Sequence, residues 1–386
     1  MSIKIAVLRE TDADERRVAI VPSTLSGLTK LGASVAIQAG AGLGAHYADA
    51  DYADATIAND PVAMVTDADV VLAVQPPPSD VVAAMRPGAA LVSFVYANRE
   101  PALVEQLRDR RISTFAMEKV PRISRAQAMD ALSSQAALAG YYAPLLGAVH
   151  LPRILPMMTT AVGSLRAARV LVMGLGVAGL QALTTAHRLG AITEGYDVRP
   201  ETREQAQSVG AKFVDTGVDA RGEGGYARAL TAEEQAKAHE VLTRHIQQAD
   251  LIVTTASVPG RAAPRLIDHA QIAGMKPGSV IVDLAADGGC NCEGAVPGQT
   301  VRVGPVTILA PPNVPSLLAQ HASELYAKNV FHLLGLILKD GTVSLDLDDA
   351  VIAGTLLTHA GEIRHVGAMG DAEASSRSPA VAEMQT

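Results

Sequence analysis

The sequence predicts an α/β protein of two doubly wound parallel-sheet domains in tandem, linked by long helices, with a cleft between them. Three observations predict it. Short apolar runs alternate with helical spacings, the pattern of a parallel sheet covered on both faces. The pattern restarts near Arg169. The two halves also echo each other: Ala68-Asp69-Val70-Val71-Leu72 leads to Met85-Arg86-Pro87-Gly88-Ala89, and Ala249-Asp250-Leu251-Ile252-Val253 leads to Met275-Lys276-Pro277-Gly278-Ser279. Two chance turns are the alternative, and the matching strands before both turns favour a repeat.

In chain order, Ile3–Leu8 is rich in β-branched residues and reads as a buried strand. Ser23–Leu31 has helical spacing and stops at Gly32. Val35–Ala39, Asp69–Val74 and Ala89–Val95 read as strands, Pro101–Arg110 as a helix with Pro in its first turn, and Ile112–Met117 as a strand. Ala126–Val149 is Ala- and Leu-rich and predicts one long linking helix kinked at Pro144. Then come strand Val170–Met173, helix Gly179–Leu189, and strands Ile192–Asp197, Lys212–Asp215, Leu251–Thr255, Val280–Leu284 and Val306–Leu309. Ser316–Leu338 is a second long helical pattern that returns the chain to the first domain. Residues 1–135 with 320–386 thus form a discontinuous first domain, and 136–319 the second. Gly217–Thr231 carries Gly222, Gly224 and Gly225 with little apolar content, the signature of a functional or mobile loop. The Ala- and Ser-rich tail, Gly367–Thr386, reads as disordered.

Composition narrows the function. The 386 residues fill two or three domains, and 48% hydrophobic content supports sizeable cores. A net charge of −8 argues against nucleic-acid binding, and 3% aromatic residues without Trp argue against a base-stacking platform. No apolar run approaches the ~18 residues of a membrane span, and the first ten residues lack a signal-peptide core. Cys290 and Cys292, one residue apart, suit neither a disulfide nor a zinc site without further ligands. The expectation is an acidic cytoplasmic protein with no resident metal.

The strongest chemical signal is Gly174-Leu175-Gly176-Val177-Ala178-Gly179. It follows the strand Val170–Met173 and opens a helix, and Asp197 ends the next strand 18 residues after Gly179. That is the context of a Rossmann dinucleotide fingerprint. Gly174 permits the tight turn, Gly176 lets a pyrophosphate approach, and Gly179 allows close helix–strand packing. The helix N-terminus offers free N–H groups to the phosphates. Asp197 would accept the adenosine ribose hydroxyls, which favours NAD(H). Arg199, beyond Val198, keeps NADP(H) open, since an Arg can accommodate a 2′-phosphate. The first domain lacks such a loop. Its strand ends carry Gln75, Tyr96 and Asn98, and those of the second carry Thr255-Ala256-Ser257 and Asp283–Gly289.

The segment from Pro121 to Gln135 is unusually polar for its place between two cores. In one reading Ser124 and Gln127 form a capping box. In the other it is a binding loop, with Arg122 for a phosphate and Gln127, Asp130 and Ser133 for an amide and ribose hydroxyls. A dehydrogenase acting on an alcohol or amino acid needs a base as well as a hydride acceptor. Between His46 and Lys119 there is no Lys or His, although Lys119 and His150 remain candidates. Hydride transfer between two nicotinamides needs no base, only close contact of the rings at ~3–3.5 Å.

Arg17-Val18-Ala19-Ile20-Val21-Pro22, the Arg122–Gln135 segment, Gly174–Gly179, Gly224-Gly225-Tyr226-Ala227 and Asn313-Val314-Pro315-Ser316 together resemble the soluble NAD(H)-binding component of the proton-translocating NAD(P) transhydrogenase family. The resemblance runs from about Ile3 to about His365, and alanine dehydrogenase is the nearest relative by fold. It implies direct hydride transfer between NADH bound here and NADP⁺ bound on a partner domain, coupled to proton movement by separate membrane subunits. It implies a homodimer, partnered by the NADP(H)-binding domain of a beta subunit and located at the cytoplasmic face of the membrane. It also implies that Arg122, Gln127, Asp130 and Ser133 hold the nicotinamide end. Gly174, Gly176, Val177, Ala178, Gly179, Asp197, Val198 and Arg199 would hold the rest of the cofactor, with Thr255 and Ala256 alongside and Gly225 and Tyr226 in a closing loop. The chain departs from the family at Asp287-Gly288-Gly289-Cys290-Asn291, where a Glu followed by Gly-Gly-Asn is usual, and around Gln75–Pro78 and Tyr96–Arg99. Alanine dehydrogenase has a catalytic Lys where this chain has Gln75, and a His near Tyr96. The alternatives are an amino-acid dehydrogenase of that type and a non-catalytic module sensing NAD(H).

Overall fold

The computed structural model describes residues 2–219, 230–257, 262–339 and 341–364. The chain divides into two units, Met1–Leu132 with the chain from Ala319, and Ser133–Leu318. The first unit opens with β1 (Ile3–Val7), α1 (Pro22–Lys30), β2 (Ala33–Gln38), β3 (Thr56–Ala58), α2 (Pro61–Thr66) and β4 (Val70–Leu72), followed by α3 (Ser79–Ala84), β5 (Ala90–Ser93), α4 (Pro101–Asp109) and β6 (Ser113–Ala116). Helix α5 (Ala131–His150) leads into the second unit: β7 (Met158–Thr160), β8 (Gly163–Leu165), β9 (Arg169–Met173), α6 (Val177–Arg188), β10 (Ile192–Tyr196), α7 (Thr202–Ser208) and β11 (Lys212–Phe213). It continues with α8 (Ala232–Gln248), β12 (Leu251–Thr254), α9 (His269–Ala273), β13 (Val280–Asp283), β14 (Thr300–Val303) and β15 (Val306–Leu309). The chain then returns to the first unit through α10 (Ala319–Ile337), β16 (Leu338–Lys339), β17 (Thr342–Val343), α11 (Ala350–Thr355), β18 (Leu356–His359) and β19 (Glu362–Ile363).

Both units share one strand order. The first sheet runs β3-β2-β1-β4-β5-β6-β18-β19 and the second β11-β10-β9-β12-β13-β15-β14. Each is the doubly wound 3-2-1-4-5-6 order with extra strands at one edge. In each, the order reverses beside the first strand, at β1/β4 and at β9/β12, and ligands of such sheets bind beyond the strand ends at that point. The sheets are not wholly parallel: β18 is antiparallel to β6, β19 to β18, and β14 to β15. The β14–β15 and β18–β19 pairs are joined by tight reversals, and β18 returns to β6 only after the whole second unit, so alternation of helix and strand does not reveal these strands.

The echoed sequences do the same work in both units. Asp69 accepts from Lys4 N at 2.7 Å, and Asp250 from Arg169 N at 2.8 Å, each fixing the start of the central strand. Pro87-Gly88 and Pro277-Gly278 turn the chain with glycine φ of 84° and 82°. Each turn closes through a 3.1 Å bond, Ala89 N to Arg86 O and Ser279 N to Lys276 O. Pro followed by a left-handed Gly is the type II turn, which bars a side chain at the second position.

Alternate residues of the strands feed opposite faces. In the first unit Ile5 and Val7 pack with Leu25, Leu28, Tyr326 and Val330, while Ala6 and Leu8 pack with Val82, Val104 and Leu107. In the second, Val170 and Val172 meet Leu183 and Ala186 of α6, while Leu171 and Met173 meet Leu242 and Ile246 of α8. Both sheets are therefore covered on two sides.

The long linking helix is shorter than its composition predicts. Ser124–Met129 is a 3-10 helix, Asp130 breaks it with ψ near 87°, and α5 starts only at Ala131. Likewise α10 starts at Ala319, after a 3-10 stretch at Val314–Leu318. Pro144 lies inside α5. The expected loop at 217–231 and the tail lie largely outside the described residues.

Asp250 is the more buried of the paired aspartates, with a side chain 5% exposed against 25% for Asp69, and it also meets Lys276 Nζ at 2.9 Å and Arg153 at 3.1 Å. Asp250→Ala should therefore cost about 2–4 kcal/mol, and Asp69→Ala about 1–2 kcal/mol. Urea unfolding measures both, and equal losses would contradict a shared role graded by burial.

Candidate functional site

The fingerprint glycines of the second unit differ in what constrains them. Gly174 has φ of 95°, and a Cβ there would lie 2.8 Å from Thr255 Oγ1 and 2.9 Å from Ala256 N. A Cβ on Gly179 would lie 1.8 Å from Gly174 O, so α6 approaches the end of β9 closer than any side chain allows. A Cβ on Gly176 meets nothing within 4 Å. Two glycines are thus demanded by the fold, and the third opens into space at the N-terminus of α6. No side chain caps that helix and no acidic residue lies in its first turn, so Val177 and Ala178 present their N–H groups without a competing carboxylate. The residues fit a dinucleotide pyrophosphate at this position.

The neighbouring strand ends are tied to the turn. Thr255 Oγ1 donates to Gly174 O at 2.8 Å. Buried Asn291 accepts from Ala256 N at 3.0 Å and donates to Ala256 O at 2.8 Å and Pro264 O at 2.7 Å. Asp283 holds Asn291 in turn, accepting from Asn291 N at 2.7 Å, Cys292 N at 2.9 Å and Ala285 N at 2.9 Å. The departure at 287–291 therefore keeps the Asn that frames Ala256. Sequence reasoning missed this scaffold because its members lie 35 residues apart. Burial pushes the Cys292 thiol up to about 12, which leaves it protonated and inert.

Asp197 is more heavily used than the fingerprint implies. Its Oδ2 accepts from Leu175 N at 2.7 Å and an Arg199 terminal nitrogen at 2.8 Å, and its Oδ1 from Arg199 N and Nε, both at 2.9 Å. A carboxylate has about four accepting positions, and all four meet donors. Asp197 thereby locks the glycine turn from below, and a ribose hydroxyl that donates to it must share or displace an Arg199 bond. Val198 lies between the two and packs at the edge of the adjacent core.

The corresponding crevice of the first unit is filled with charge. Glu10, in the loop after β1, accepts from Val74 N at 2.7 Å and Gln75 N at 3.1 Å, the N–H groups beyond β4. Glu15 pairs with Arg17 at 2.6 Å, both side chains essentially inaccessible, and Gln75 Nε2 donates to Glu15 Oε2 at 2.8 Å. Burial outweighs the backbone bonds at Glu10, helped by the Glu15 charge, and raises it to about 8. Burial would also raise Glu15, but the Arg17 bonds and charge prevail and hold it at about 2. Glu118 accepts from Tyr96 N at 2.6 Å and holds Tyr96 at φ of 51°, its ring stacked on Phe94. Asn98 is exposed beyond this point.

Among the polar candidates, Arg122, Gln127 and Asp130 lie in the first unit on or beside the 3-10 helix, whereas Ser133 lies on α5 in the second. The capping-box reading fails: the residue before this helix is Ile123, and no side chain caps it. Three residues per turn place Ser124, Gln127 and Asp130 in one row and bury the row of Ala126 and Met129. Gln127 and Asp130 thus share a side of the segment. Gly225 and Tyr226 lie outside the described residues. His150 is exposed at the end of α5 with Nδ1 against Leu146 O, and Lys119 ends a 3-10 turn.

Residues 6–139 match the family described as Alanine dehydrogenase/PNT, N-terminal domain, and residues 143–366 its C-terminal domain. The chain is 42% identical over 381 residues to the NAD(P) transhydrogenase alpha subunit, first portion, of Rhodospirillum rubrum, covering 95% of this chain and 99% of that one. It is 31% identical over 300 residues to alanine dehydrogenase of Mycobacterium tuberculosis, covering 76% of each. The crystal structure of transhydrogenase from Sinorhizobium meliloti superposes with a TM-score of 0.82 at 39% identity, covering 94% of this chain and 99% of that chain. Among the described residues, no helix is long and apolar enough to cross a membrane.

The glycines and the buried acid are separately testable. Gly179→Ala should cost more than ~3 kcal/mol, because backbone must move, whereas Gly176→Ala should change stability by less than ~0.5 kcal/mol yet weaken NADH binding at least tenfold. Thermal melts beside fluorescence titration separate the two, and a Gly176→Ala protein with normal NADH affinity would remove the pyrophosphate from this turn. Glu10 binds its proton more tightly folded than unfolded, so the stability it allows falls as pH rises from about 4.5 to about 8. Glu15 acts oppositely, and its contribution is lost as pH falls from about 4.5 toward 2. Glu10→Gln sets an amide NH2 against one of the two backbone N–H groups and so should lower stability at pH 5, but it should abolish the further loss of roughly 1–3 kcal/mol between pH 5 and pH 8, and an unchanged pH dependence would contradict the buried-acid assignment.

Proposed function

The chain belongs to the Alanine dehydrogenase/PNT family, and we propose that it is the NAD(H)-binding catalytic component of a proton-translocating NAD(P) transhydrogenase. One observation carries the choice between the family's two activities: among the described residues, the chain just beyond β4 and β5 carries Gln75 and Tyr96 rather than a Lys or His. Gln75 stands at the end of β4 with its amide bound to Glu15, and Tyr96 stands beyond β5. An amino-acid dehydrogenase needs a base there to take the substrate's proton. Transfer from one nicotinamide to another moves no such proton and asks only for placement.

In this reading NAD(H) lies along the second unit. Gly176, Val177 and Ala178 receive the pyrophosphate, Asp197, Val198 and Arg199 face the adenosine ribose, and Thr255 and Ala256 run beside the dinucleotide. Bound there, the nicotinamide supplies the hydride. Arg122, Gln127, Asp130 and Ser133 hold that end in place, and Gly225 and Tyr226 also contact the cofactor. NADP(H) is carried by a separate domain of a beta subunit, and membrane-spanning subunits couple the transfer to proton movement at the cytoplasmic face. The component works as a homodimer. The hairpin β7–β8 supports this: all its strand residues are exposed, with Met157 71% and Val162 99% exposed. A lone two-stranded hairpin is marginal in water, and a second copy would cover it.

The test is reconstitution. The protein mixed with a transhydrogenase NADP(H)-binding domain should transfer hydride from NADH to an NADP⁺ analogue and should bind NADH at least tenfold tighter than NADPH. Gln127→Asn and Asp130→Asn should each keep the wild-type melt and near-normal NADH affinity but slow single-turnover transfer at least tenfold, since ~1 Å of misplacement can cost ~10²-fold. Oxidation of alanine would favour the dehydrogenase reading instead. NADH binding without transfer would favour a sensor.

A further inference from the structure

The segment that carries Arg122, Gln127 and Asp130 is short, irregular and exposed on one side, yet placement of a nicotinamide demands rigidity. Its rigidity comes from the distant end of the chain. Ala126 and Met129 are buried in the core that contains Tyr326, Ala327 and Val330 of α10 and Val351 and Ile352 of α11. Asn329, 6% exposed on the core side of α10, donates from Nδ2 to Ala128 O at 2.8 Å. That carbonyl lies in the last turn of the 3-10 helix, where intrahelical partners run out. Asn is a poor choice for a buried helix position unless its amide is used, and here it is used on this segment. Asp349 accepts from an Arg125 terminal nitrogen at 2.5 Å, and its Oδ1 also accepts from Val351 N at 2.8 Å and Ile352 N at 3.3 Å. One carboxylate thus caps α11 and tethers the segment. Pro121 packs on Gly354, where a Cβ would lie 3.2 Å from the proline ring.

We propose that Asn329 and Asp349 are positioning residues for hydride transfer, fixing the row that presents Gln127 and Asp130; this rests on the reading that the segment receives the nicotinamide end. Neither residue has to touch the cofactor. Asn329 holds the Ala128 carbonyl and Asp349 the Arg125 side chain, two restraints that flank Gln127 and keep it and Asp130 in one orientation.

The test uses Asp349→Asn, which keeps an acceptor for the α11 cap while removing the charge that holds Arg125, and Asn329→Leu, which keeps bulk without the donor. Three readouts apply. Amide hydrogen exchange across 122–130, without nucleotide, should quicken at least fivefold in both variants. The NADH dissociation constant should stay within threefold of wild type. Single-turnover transfer to NADP⁺ on the partner domain should slow at least fivefold, and Arg125→Gln with Asp349→Asn together should be no slower than the worse single variant. Transfer within twofold of wild type in both variants, while Gln127→Asn is slow, would overturn the positioning role and leave the segment's role intact. Wild-type transfer in Gln127→Asn as well would overturn both. A loss of NADH affinity equal to the loss of transfer would show general damage and also overturn the proposal.

Discussion

The close approach of α6 to the end of β9 is the constraint on which the second unit depends. With Gly174 O so near Gly179, the helix starts directly over the strand and its first N–H groups open at the sheet's crossover point. The surrounding bonds preserve that approach. Thr255 ties β12 to the turn, Asp197 holds Leu175, and Asn291, set by Asp283, holds Ala256. A side chain at Gly174 or Gly179 would push these layers apart. At Gly176, by contrast, a Cβ would meet none of the described residues within 4 Å.

The first unit has the same strand order and the same aspartate and Pro-Gly devices, but its crossover is built from the opposite chemistry. Where the second unit leaves N–H groups open at its crossover, the first covers them with a carboxyl group of its own. Glu10 takes the N–H groups beyond β4, and Glu15 with Arg17 and Gln75 completes a closed network. A buried ion pair of this kind adds little net stability when intact but costs several kcal/mol to break. It therefore specifies a geometry more than it strengthens the fold. Two similar sheets thus have different work: one carries the fingerprint, the other keeps its own crossover occupied and presents Tyr96 and the 3-10 segment.

What the sequence makes legible is local. The glycine turn reads directly because three residues and one following carboxylate state its geometry, and the Asp and Pro-Gly echo reads because the same bonds recur with the same spacing. The polar segment misleads in shape, since Ala126 to Leu132 has the composition of a helix; a backbone break at Asp130, and burial of Ala126 and Met129 against α10, select 3-10 geometry instead. The capping box fails for the same reason, as that helix begins after Ile123. Glu10, Asn291, Asn329 and Asp349 are illegible because each acts across long separations, from 35 residues for Asn291 to 224 for Asp349. The position of Asp197 just beyond β10 matches the acid of the fingerprint, whereas its bonds from Arg199 and Leu175 follow from a pairing that such a position does not reveal.

The central claim, direct transfer between two nicotinamides with no protein base, is tested most directly by isotope. The protein is loaded with NADH deuterated at the transferred position and mixed in ordinary water with a transhydrogenase domain carrying NADP⁺, and the NADPH formed is weighed by mass spectrometry. The account predicts that NADPH carries the deuterium almost completely, since the hydride passes without exchanging with solvent. NADPH formed without the label would contradict it.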